Sequence, residues 1–393
     1  MKLLLSVLAL VATAMSETSL DEVLKAGNDQ FTANMFQEVV KAQGEKSVVL
    51  SAFSVLSPLA QLGLASVGAS HDEILKSIGF PNDNVTKAVF SNVNSRLRSI
   101  KGVELQQANK VYVRNGYSLN DEFAALSKEV FNSEVQNIDF GKNVESAEEI
   151  NAWVEAHTNK RIKDLVDPDS IDGRTAAILV NAIYFKGLWK NPFKTALTQD
   201  RDFHVTKDKK ITVPMMYQED DFKYVESQEL DAKFLEMPYE GDETSLIIAL
   251  PNKIDGINDL IAKLKDLEAL NKATKDMYFQ KVQVSLPKFK IETTTDLKDI
   301  LEKMDVKRMF TAGEARLENL LKENLDLYIS SATQKAFIEV NEVGAEAAAA
   351  NDFIAAKRSG KFVFHHVQFK ADRPFYFALI QKDIVLFNGV FHS

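Results

Sequence analysis

The run TAAILVNAIYF at residues 175–185 constrains the fold more than any other feature of the sequence. A strand with one face in water alternates apolar and polar side chains, whereas a nearly continuous apolar run is typical of a strand covered on both faces. The chain must therefore bury a sheet between other layers of structure. Shorter apolar runs predict further strands at SLIIALP, KVQVSLPKF and IVLFNGVF.

Helical patterns account for much of the first half of the chain. In NDQFTANMFQEVVKA, the apolar side chains recur with helical spacing and share one face. Residues 54–66 predict a buried helix, and Ser146, three residues before Glu149, predicts an N-capped helix. The stretch TTTDLKDILEKM also has a helical pattern. Since no repeat and no Pro- or Gly-rich linker divides the chain, the sequence predicts one α+β domain over residues 17–393.

Charge and cysteine content exclude several classes of protein. The 393 residues carry a formal net charge of −9, which argues against general nucleic-acid binding, because that function needs an electropositive face. The chain has no cysteine, so disulfides, zinc–thiolate sites and thiol nucleophiles are excluded. Its stability must come from packing, and 45% hydrophobic residues in a chain of this length can form a large core.

The N-terminus has the pattern of a secretory signal peptide. Lys2 precedes the apolar stretch Leu3–Val11, which is too short to cross a bilayer, and Ala14 and Ser16 have the spacing of a cleavage site. We therefore predict a signal peptide over residues 1–16 and a secreted, extracellular protein. The alternative is a buried first helix. No other run is long and apolar enough to span a membrane, so no membrane partner is expected.

The sequence contains no motif of an active site. It lacks the G-x-S-x-G, phosphate-loop, H-E-x-x-H and dinucleotide-binding patterns. Of the histidines, only His365 and His366 are adjacent, and neighbouring side chains on a strand point to opposite faces, so a shared metal is not expected. The acidic runs QEDD and YEGDE are interpreted as solvated loops. We expect neither an enzyme, nor a metal, nor a cofactor.

The segment EVGAEAAAANDFIAAKRSG, residues 342–360, lies between the strand patterns QKAFIEV and FVFHHVQF. If residues 345–356 formed a strand, Glu346 and Asp352 would share one face, and the opposite face would carry small side chains and no charge before Phe353. Such a face can enter a sheet without burying an ion. The segment has no proline, and Gly344 provides a hinge. The alternative is an exposed helix, which four consecutive alanines favour.

Five stretches of the sequence resemble the serpin family, and most of all the haemolymph serpins of insects. They are VVLSAFSVLSPLAQLGLASVGAS, LVNAIYFKGLWKNPF, VSLPKFKIETTTDLK, KAFIEVNEVGAEAAAA and DRPFYFAL, in the family's order and spacing. The resemblance implies an α+β fold of three β-sheets and about nine helices. It also implies an exposed reactive loop at about residues 342–362.

The resemblance further implies that the chain inhibits a serine protease through that loop. Counting from Glu342 in the family's register makes Arg358–Ser359 the expected scissile bond, with cleavage after Lys357 as the alternative. An Arg side chain suits the acidic pocket of a trypsin-like protease. The expected product is a covalent 1:1 complex of a monomer, in which residues 345–356 have entered the main sheet. The alternative function is that of a non-inhibitory carrier or storage protein.

Single positions also match the family, and these assignments come from the resemblance. The hinge would comprise Glu342, Gly344, Ala345, Ala347, Ala348, Ala349 and Ala350. A cluster that controls opening of the sheet would comprise Ser51, Ser54, Asn181 and Gln334, where Gln334 stands in place of the family's common His. The point at which the loop begins to insert would involve Trp189 and an ion pair between Lys288 and Glu342.

Two surface features complete the expectations. Asn84 begins the only Asn-x-Ser/Thr sequence that we find, and it is a candidate glycosylation site. Because some serpins bind heparin through a basic helix, we considered the basic residues Lys87, Arg96, Arg98 and Lys101. In an acidic protein they are better interpreted as a solvated helix face than as a site for a heparin-like polymer.

Overall fold

The structure, a computed structural model, describes residues 17–97, 102–344 and 366–393. These ranges contain nine α-helices: α1 (Glu17–Gln43), α2 (Ala52–Ala65), α3 (Ala69–Ile78), α4 (Asp83–Leu97), α5 (Asp121–Phe131), α6 (Asn143–His157), α7 (Ile257–Lys263), α8 (Glu268–Lys275) and α9 (Leu297–Lys303). They also contain fourteen strands: β1 (Val48–Leu50), β2 (Val103–Arg114), β3 (Glu134–Ile138), β4 (Ala177–Gly187), β5 (Gln199–His204), β6 (Lys210–Ser227), β7 (Ala232–Pro238), β8 (Thr244–Pro251), β9 (Tyr278–Pro287), β10 (Phe289–Asp296), β11 (Ser331–Val340), β12 (Val367–Lys370), β13 (Phe375–Gln381) and β14 (Ile384–Phe391). The predicted α+β fold class is confirmed.

The smaller sheet has five strands in the order β10-β11-β4-β2-β3. Two adjacent inner strands, β11 and β4, run parallel and are paired from Ser331 opposite Ile178 to Ile338 opposite Phe185. β4 contains the apolar run from which the sequence argument began. Two strands flank this parallel pair. β10 is antiparallel to β11, and β2 is antiparallel to β4.

The larger sheet has nine strands, and the long strand β6 joins two parts of it. β6 has 18 residues and pairs with β5 and β9 along most of its length and with β7 at its C-terminal end. Beyond β7 the order continues through β8, β13 and β14 to β1, and beyond β9 it ends at β12. The family resemblance implies three sheets. Here two of them are joined by hydrogen bonds into the larger sheet, because β6 belongs to both of its parts.

β4 is covered on both faces, as its composition predicts. Leu179 and Ile183 point into the main apolar core, which includes the fully buried helix α2. Ile178 and Val180 point the other way, into a second apolar cluster with Ile150 of α6. The smaller sheet thus lies between α2 and α6, and any rearrangement of β4 must occur between these two layers.

Three local predictions were wrong. Ser146 does not begin a helix: α6 starts at Asn143, and the Ser146 hydroxyl donates to the Asp139 carbonyl at 2.8 Å. The residues Thr293–Thr295 belong to β10, as β-branched residues prefer, and α9 begins after Asp296, which caps it. The acidic run at 218–221 lies within β6 rather than in a loop.

Candidate functional site

A buried polar cluster lies between α2 and the paired strands β4 and β11. It consists of Ser51, Ser54, Asn181 and Gln334, all fully buried. Asn181 and Gln334 are opposite one another in the parallel pair, and Gln334 Nε2 donates to Asn181 Oδ1 at 2.7 Å. The Ser54 hydroxyl lies 2.9 Å from the same oxygen. The structure therefore brings together the four residues that the family resemblance assigned to one cluster.

Ser51 connects this cluster to two further elements. Its Oγ accepts from the Ser54 N–H at 3.1 Å, which caps the N-terminus of α2, and donates to the Leu386 carbonyl of β14 at 2.6 Å. Its backbone N–H donates to Gln334 Oε1 at 3.2 Å, and Gln334 Nε2 returns a bond to the Ser51 carbonyl at 2.8 Å. The amide of Gln334 thus bridges β11 to both β4 and α2.

Sequence reasoning missed a further member of the buried polar cluster. Asn109 of β2 is opposite Asn181, and Asn181 Nδ2 donates to Asn109 Oδ1 at 2.6 Å. Because buried amides are costly without partners, this bond completes the satisfaction of the Asn181 side chain. Nothing in the local sequence around Asn109 distinguishes it, since the contact depends on the register of β2 against β4.

At the end of β11 the chain passes through residues 341–344, which we call the hinge turn. The turn rests against the segment that follows β4. Trp189 donates twice to it, from Nε1 to the Asn341 carbonyl at 2.8 Å and from its backbone N–H to the Val343 carbonyl at 3.1 Å. The Trp189 ring also stacks on Tyr239, with centroids 4.3 Å apart. Trp189 therefore fixes the hinge turn against the end of β4.

The carboxylate of Glu342 is held by two side chains. Lys288 Nζ lies 3.0 Å from Oε2, as the resemblance implied, and Thr198 Oγ1 lies 2.9 Å from Oε1. The Glu342 side chain is only 8% exposed, whereas that of Lys288 is 45% exposed. Burial raises the pKa of Glu342, but hydrogen bonds from Lys288, from its own backbone and from Thr198 outweigh it, so the pKa lies below its usual range. Thr198 was not foreseen from the sequence.

Gly344 occupies a position that no other residue can adopt without strain. Its φ is +106°, and a Cβ at this position would lie 2.4 Å from the Gly187 carbonyl oxygen and 2.5 Å from the Trp189 nitrogen. The glycine was predicted as a hinge because of its free backbone. The structure adds a second reason, which is the close approach of two backbones.

The remaining loop assignments lie outside the described residues. They are Ala345, Ala347, Ala348, Ala349, Ala350, Lys357, Arg358 and Ser359. The described chain stops at Gly344 and resumes at His366, which precedes β12. The roles of these eight loop residues therefore remain predictions.

Of the surface predictions, Asn84, Lys87 and Arg96 lie within the described part of the chain, whereas Arg98 and Lys101 lie outside it. Asn84 is exposed in the first turn of α4, and the buried Thr86 hydroxyl donates to the Asn82 carbonyl. Arg96 forms an ion pair with Asp21 at 2.6 Å. In the residues described, no group of His, Asp and Glu side chains could hold a metal ion. A helix with the length and apolarity needed to cross a bilayer is likewise absent from those residues.

The paired strands β4 and β11 have a geometry suited to accepting one more strand. A chain that leaves β11 and turns back must run antiparallel to β11. Because β4 is parallel to β11, the returning chain is antiparallel to β4 as well. A strand placed between them would therefore form antiparallel ladders on both sides, with the hinge turn as its connection.

Comparisons with known proteins match nearly the whole chain. The family model described as Serpin (serine protease inhibitor) matches residues 26–393. The chain is 57% identical over 390 residues to alaserpin of Manduca sexta, covering 99% of both chains, and 54% identical over 392 residues to antitrypsin of Bombyx mori, covering all of both. Among solved structures, Serpin48 of Tenebrio molitor superposes with a TM-score of 0.87 at 35% identity, over 95% of this chain and 98% of that one.

Proposed function

This chain belongs to the serpin family, and on that premise we propose that it is a secreted inhibitor of trypsin-like serine proteases that uses residues 342–362 as bait. The family is one of serine protease inhibitors rather than of enzymes. Relatives that match nearly the whole chain carry the names alaserpin, antitrypsin and antichymotrypsin. These names support an inhibitory member, and Arg358 supports a trypsin-like target.

The observation that carries the proposal is the parallel β4–β11 pair, from whose end the reactive loop departs. In our proposal the protease serine attacks the carbonyl carbon of Arg358. The Arg358–Ser359 peptide bond breaks, the amine of Ser359 leaves with a proton, and an ester joins Arg358 to the protease. Residues 345–356 then enter between β4 and β11 and carry the acylated protease with them, which prevents hydrolysis of the ester. Insertion of the reactive loop with release of stored strain is a general property of serpins, and this step is carried over from the family.

Energetics support insertion as a favourable step. An added strand would form on the order of 10–15 new backbone hydrogen bonds, each contributing roughly 1 kcal/mol net. The gain could reach about 10 kcal/mol, which is comparable with the stability of a whole domain. The uncleaved protein would therefore be metastable, and cleavage would release it.

Mixing the purified protein with trypsin tests the proposal. We expect a band that survives boiling in detergent, at the summed mass of the two chains less the mass of residues 359–393. We also expect a released C-terminal peptide whose mass matches a chain that begins at Ser359. Two matched variants assign the bond: Arg358→Ala should abolish complex formation with trypsin, whereas Lys357→Ala should retain it. If Lys357→Ala alone abolishes it, the bond lies one residue earlier. Cleavage of the wild type without a stable complex would contradict inhibition and favour a carrier.

Secretion is part of the same proposal and has its own test. Expression of the full chain in insect cells should release the protein into the medium with Glu17 as its first residue, because the predicted cleavage follows Ser16. An intracellular product that retains residues 1–16 would contradict it. Digestion of the secreted protein with an N-glycosidase, followed by mass measurement, would show whether Asn84 carries a glycan.

A further inference from the structure

The side chain of Asn341 closes the hinge turn. Its Oδ1 accepts hydrogen bonds from the backbone N–H groups of Val343 at 3.1 Å and of Gly344 at 3.0 Å. The Gly344 N–H also lies 3.2 Å from the Asn341 carbonyl oxygen. Asn closes turns in this way because its short side chain reaches the backbone two residues further on. The side chain of one residue, itself only 9% exposed, thus binds the first two N–H groups after Glu342.

The carbonyl groups of the same turn are bound as well. Those of Asn341 and Val343 accept from Trp189, and that of Glu342 accepts from the Phe193 N–H at 2.8 Å. The donors all lie in the segment that follows β4, where Gly344 approaches the backbone at Gly187. The turn is therefore bound from two sides: Asn341 binds the N–H groups of Val343 and Gly344, and the chain after β4 binds three of its carbonyl groups.

We propose that Asn341 is a positioning residue, whose Oδ1 holds the hinge turn in the arrangement that precedes insertion. The inference rests on the proposed function. A strand that enters between β4 and β11 moves these two strands apart, so the hinge turn must release the segment that follows β4. The bonds from the Val343 and Gly344 N–H groups to Asn341 Oδ1 fix the turn in the shape that presents its carbonyl groups to that segment, and they therefore oppose the release. Asn341 thereby slows insertion until cleavage frees the loop.

The amide nitrogen of Asn341 makes a separate contact, and this provides a matched control. Nδ2 donates to Glu339 Oε1 at 3.3 Å, and Glu339 belongs to β11 rather than to the hinge turn. Asn341→Ala removes both contacts. Asn341→Asp keeps an acceptor oxygen for the two N–H groups but loses the donor, and Glu339→Ala removes only the partner of that donor. The three variants therefore separate the two bonds within the hinge turn from the contact with Glu339.

The test incubates each uncleaved variant slightly below its unfolding midpoint and follows the loss of trypsin inhibition with time. We expect Asn341→Ala to lose activity about tenfold faster than the wild type, because two hydrogen bonds of the starting state are missing. Its inactive product should be intact by mass and should resist unfolding at temperatures that unfold the starting protein. Asn341→Asp and Glu339→Ala should lose trypsin inhibition at rates within about twofold of the wild-type rate, which is a several-fold smaller effect.

Two results would overturn the proposal. One is an Asn341→Ala product that is unfolded or aggregated rather than heat-resistant, since the turn would then serve stability alone. The other is equally fast loss in Asn341→Asp, since the acceptor oxygen would then be irrelevant. Failure of the proposed function gives a different result, because the wild type itself would form no stable complex with trypsin before any incubation.

Discussion

Gln334 Nε2 donates to Asn181 Oδ1 across the parallel β4–β11 pair at 2.7 Å, at the point where the proposed mechanism requires these strands to separate. An amide at this position can bridge the strands but does not titrate near neutral pH, whereas a His would. Opening of the sheet at this point should therefore be independent of pH in this protein.

Gln334→Ala is predicted to destabilise the protein by about 2–4 kcal/mol, because it leaves a cavity and removes the acceptor of the buried Ser51 N–H. Denaturant unfolding of the uncleaved protein measures the loss. Gln283→Ala is the matched control, since the side chain of this partly exposed glutamine donates to Glu219 at the surface and its loss should change stability by less than about 0.5 kcal/mol. Equal effects of the two substitutions would contradict a special role for the cluster.

Gln334→His is predicted to introduce the pH dependence that the wild type lacks. The new imidazole would be buried among neutral amides and hydroxyls, so its pKa should lie below the usual value of about 6.5. Stability should then fall as pH decreases through that pKa and the ring must charge in a buried site. Urea midpoints of both proteins between about pH 5 and 8 measure it, and parallel curves would show that position 334 is not coupled to protonation.

The ion pair between Lys288 and Glu342 should respond unequally to removal of its two members. Lys288→Ala leaves a buried carboxylate supported by Thr198 and by its own backbone but by no cation, whereas Glu342→Ala leaves an ammonium that water can solvate. We expect Lys288→Ala to be the more destabilising by about 1–2 kcal/mol, measured by urea unfolding at neutral pH. A larger loss in Glu342→Ala would show that the carboxylate matters mainly through Thr198 and its own backbone.

The lowered pKa of Glu342 also predicts that the stability of the folded protein decreases at acid pH, which we call the acid limb of the stability profile. Its pKa is lowered in the folded protein, so its charged form contributes stability that is fully present above the ordinary carboxyl pKa of 4.5 and is lost as pH falls through the folded value. Glu342→Gln should flatten the profile below about pH 4.5 and leave its shape near neutrality unchanged. Superimposable acid limbs in the two proteins would mean that other carboxylates dominate.

Sequence patterns predicted the parts of the fold that depend on periodicity. The burial of β4 on both faces follows from the apolar run at 175–185, and the buried helix α2 follows from its composition. A helix boundary was predicted wrongly where the side chain that formed the local pattern binds a different group. The Ser146 hydroxyl matches a capping box, but it is bound to the Asp139 carbonyl, and α6 extends three residues further back.

Apart from Gly344, whose free backbone predicted a hinge, the candidate site was predictable only where the family resemblance named positions. Asn109 and Thr198 were missed because each meets its partner, Asn181 or Glu342, across a large separation in sequence, and neither lies in a distinctive motif. The closure of the hinge turn by Asn341 was missed although it is local. An Asn before a Gly three residues on is common in turns, and only the geometry shows that both N–H groups share one acceptor.

Cleavage of the reactive loop is predicted to raise the melting temperature by more than about 15 °C, because the added strand contributes stability comparable with that of a whole domain. A protease that cuts elsewhere in residues 345–358 without being trapped would provide the cleaved form. Calorimetry of the cleaved and uncleaved proteins measures the shift. An unchanged melting temperature would mean that the loop does not enter the sheet.

The alternation of small and charged residues in the loop yields the sharpest pair of variants. In a strand over 345–356, Ala347 shares the uncharged face, whereas Ala348 shares its face with Glu346 and Asp352. Ala347→Arg would place a cation on the uncharged face, which in our proposal packs on the main apolar core, so the loop should be cleaved without trapping trypsin, and the protein should become a substrate. Ala348→Arg should remain an inhibitor, with at most about a twofold rise in the number of molecules consumed per protease inhibited. Titration of trypsin activity with each variant measures this number. Equal loss of inhibition in both variants would contradict insertion as a strand with this register and would favour a helical or extended loop that stays outside the sheet.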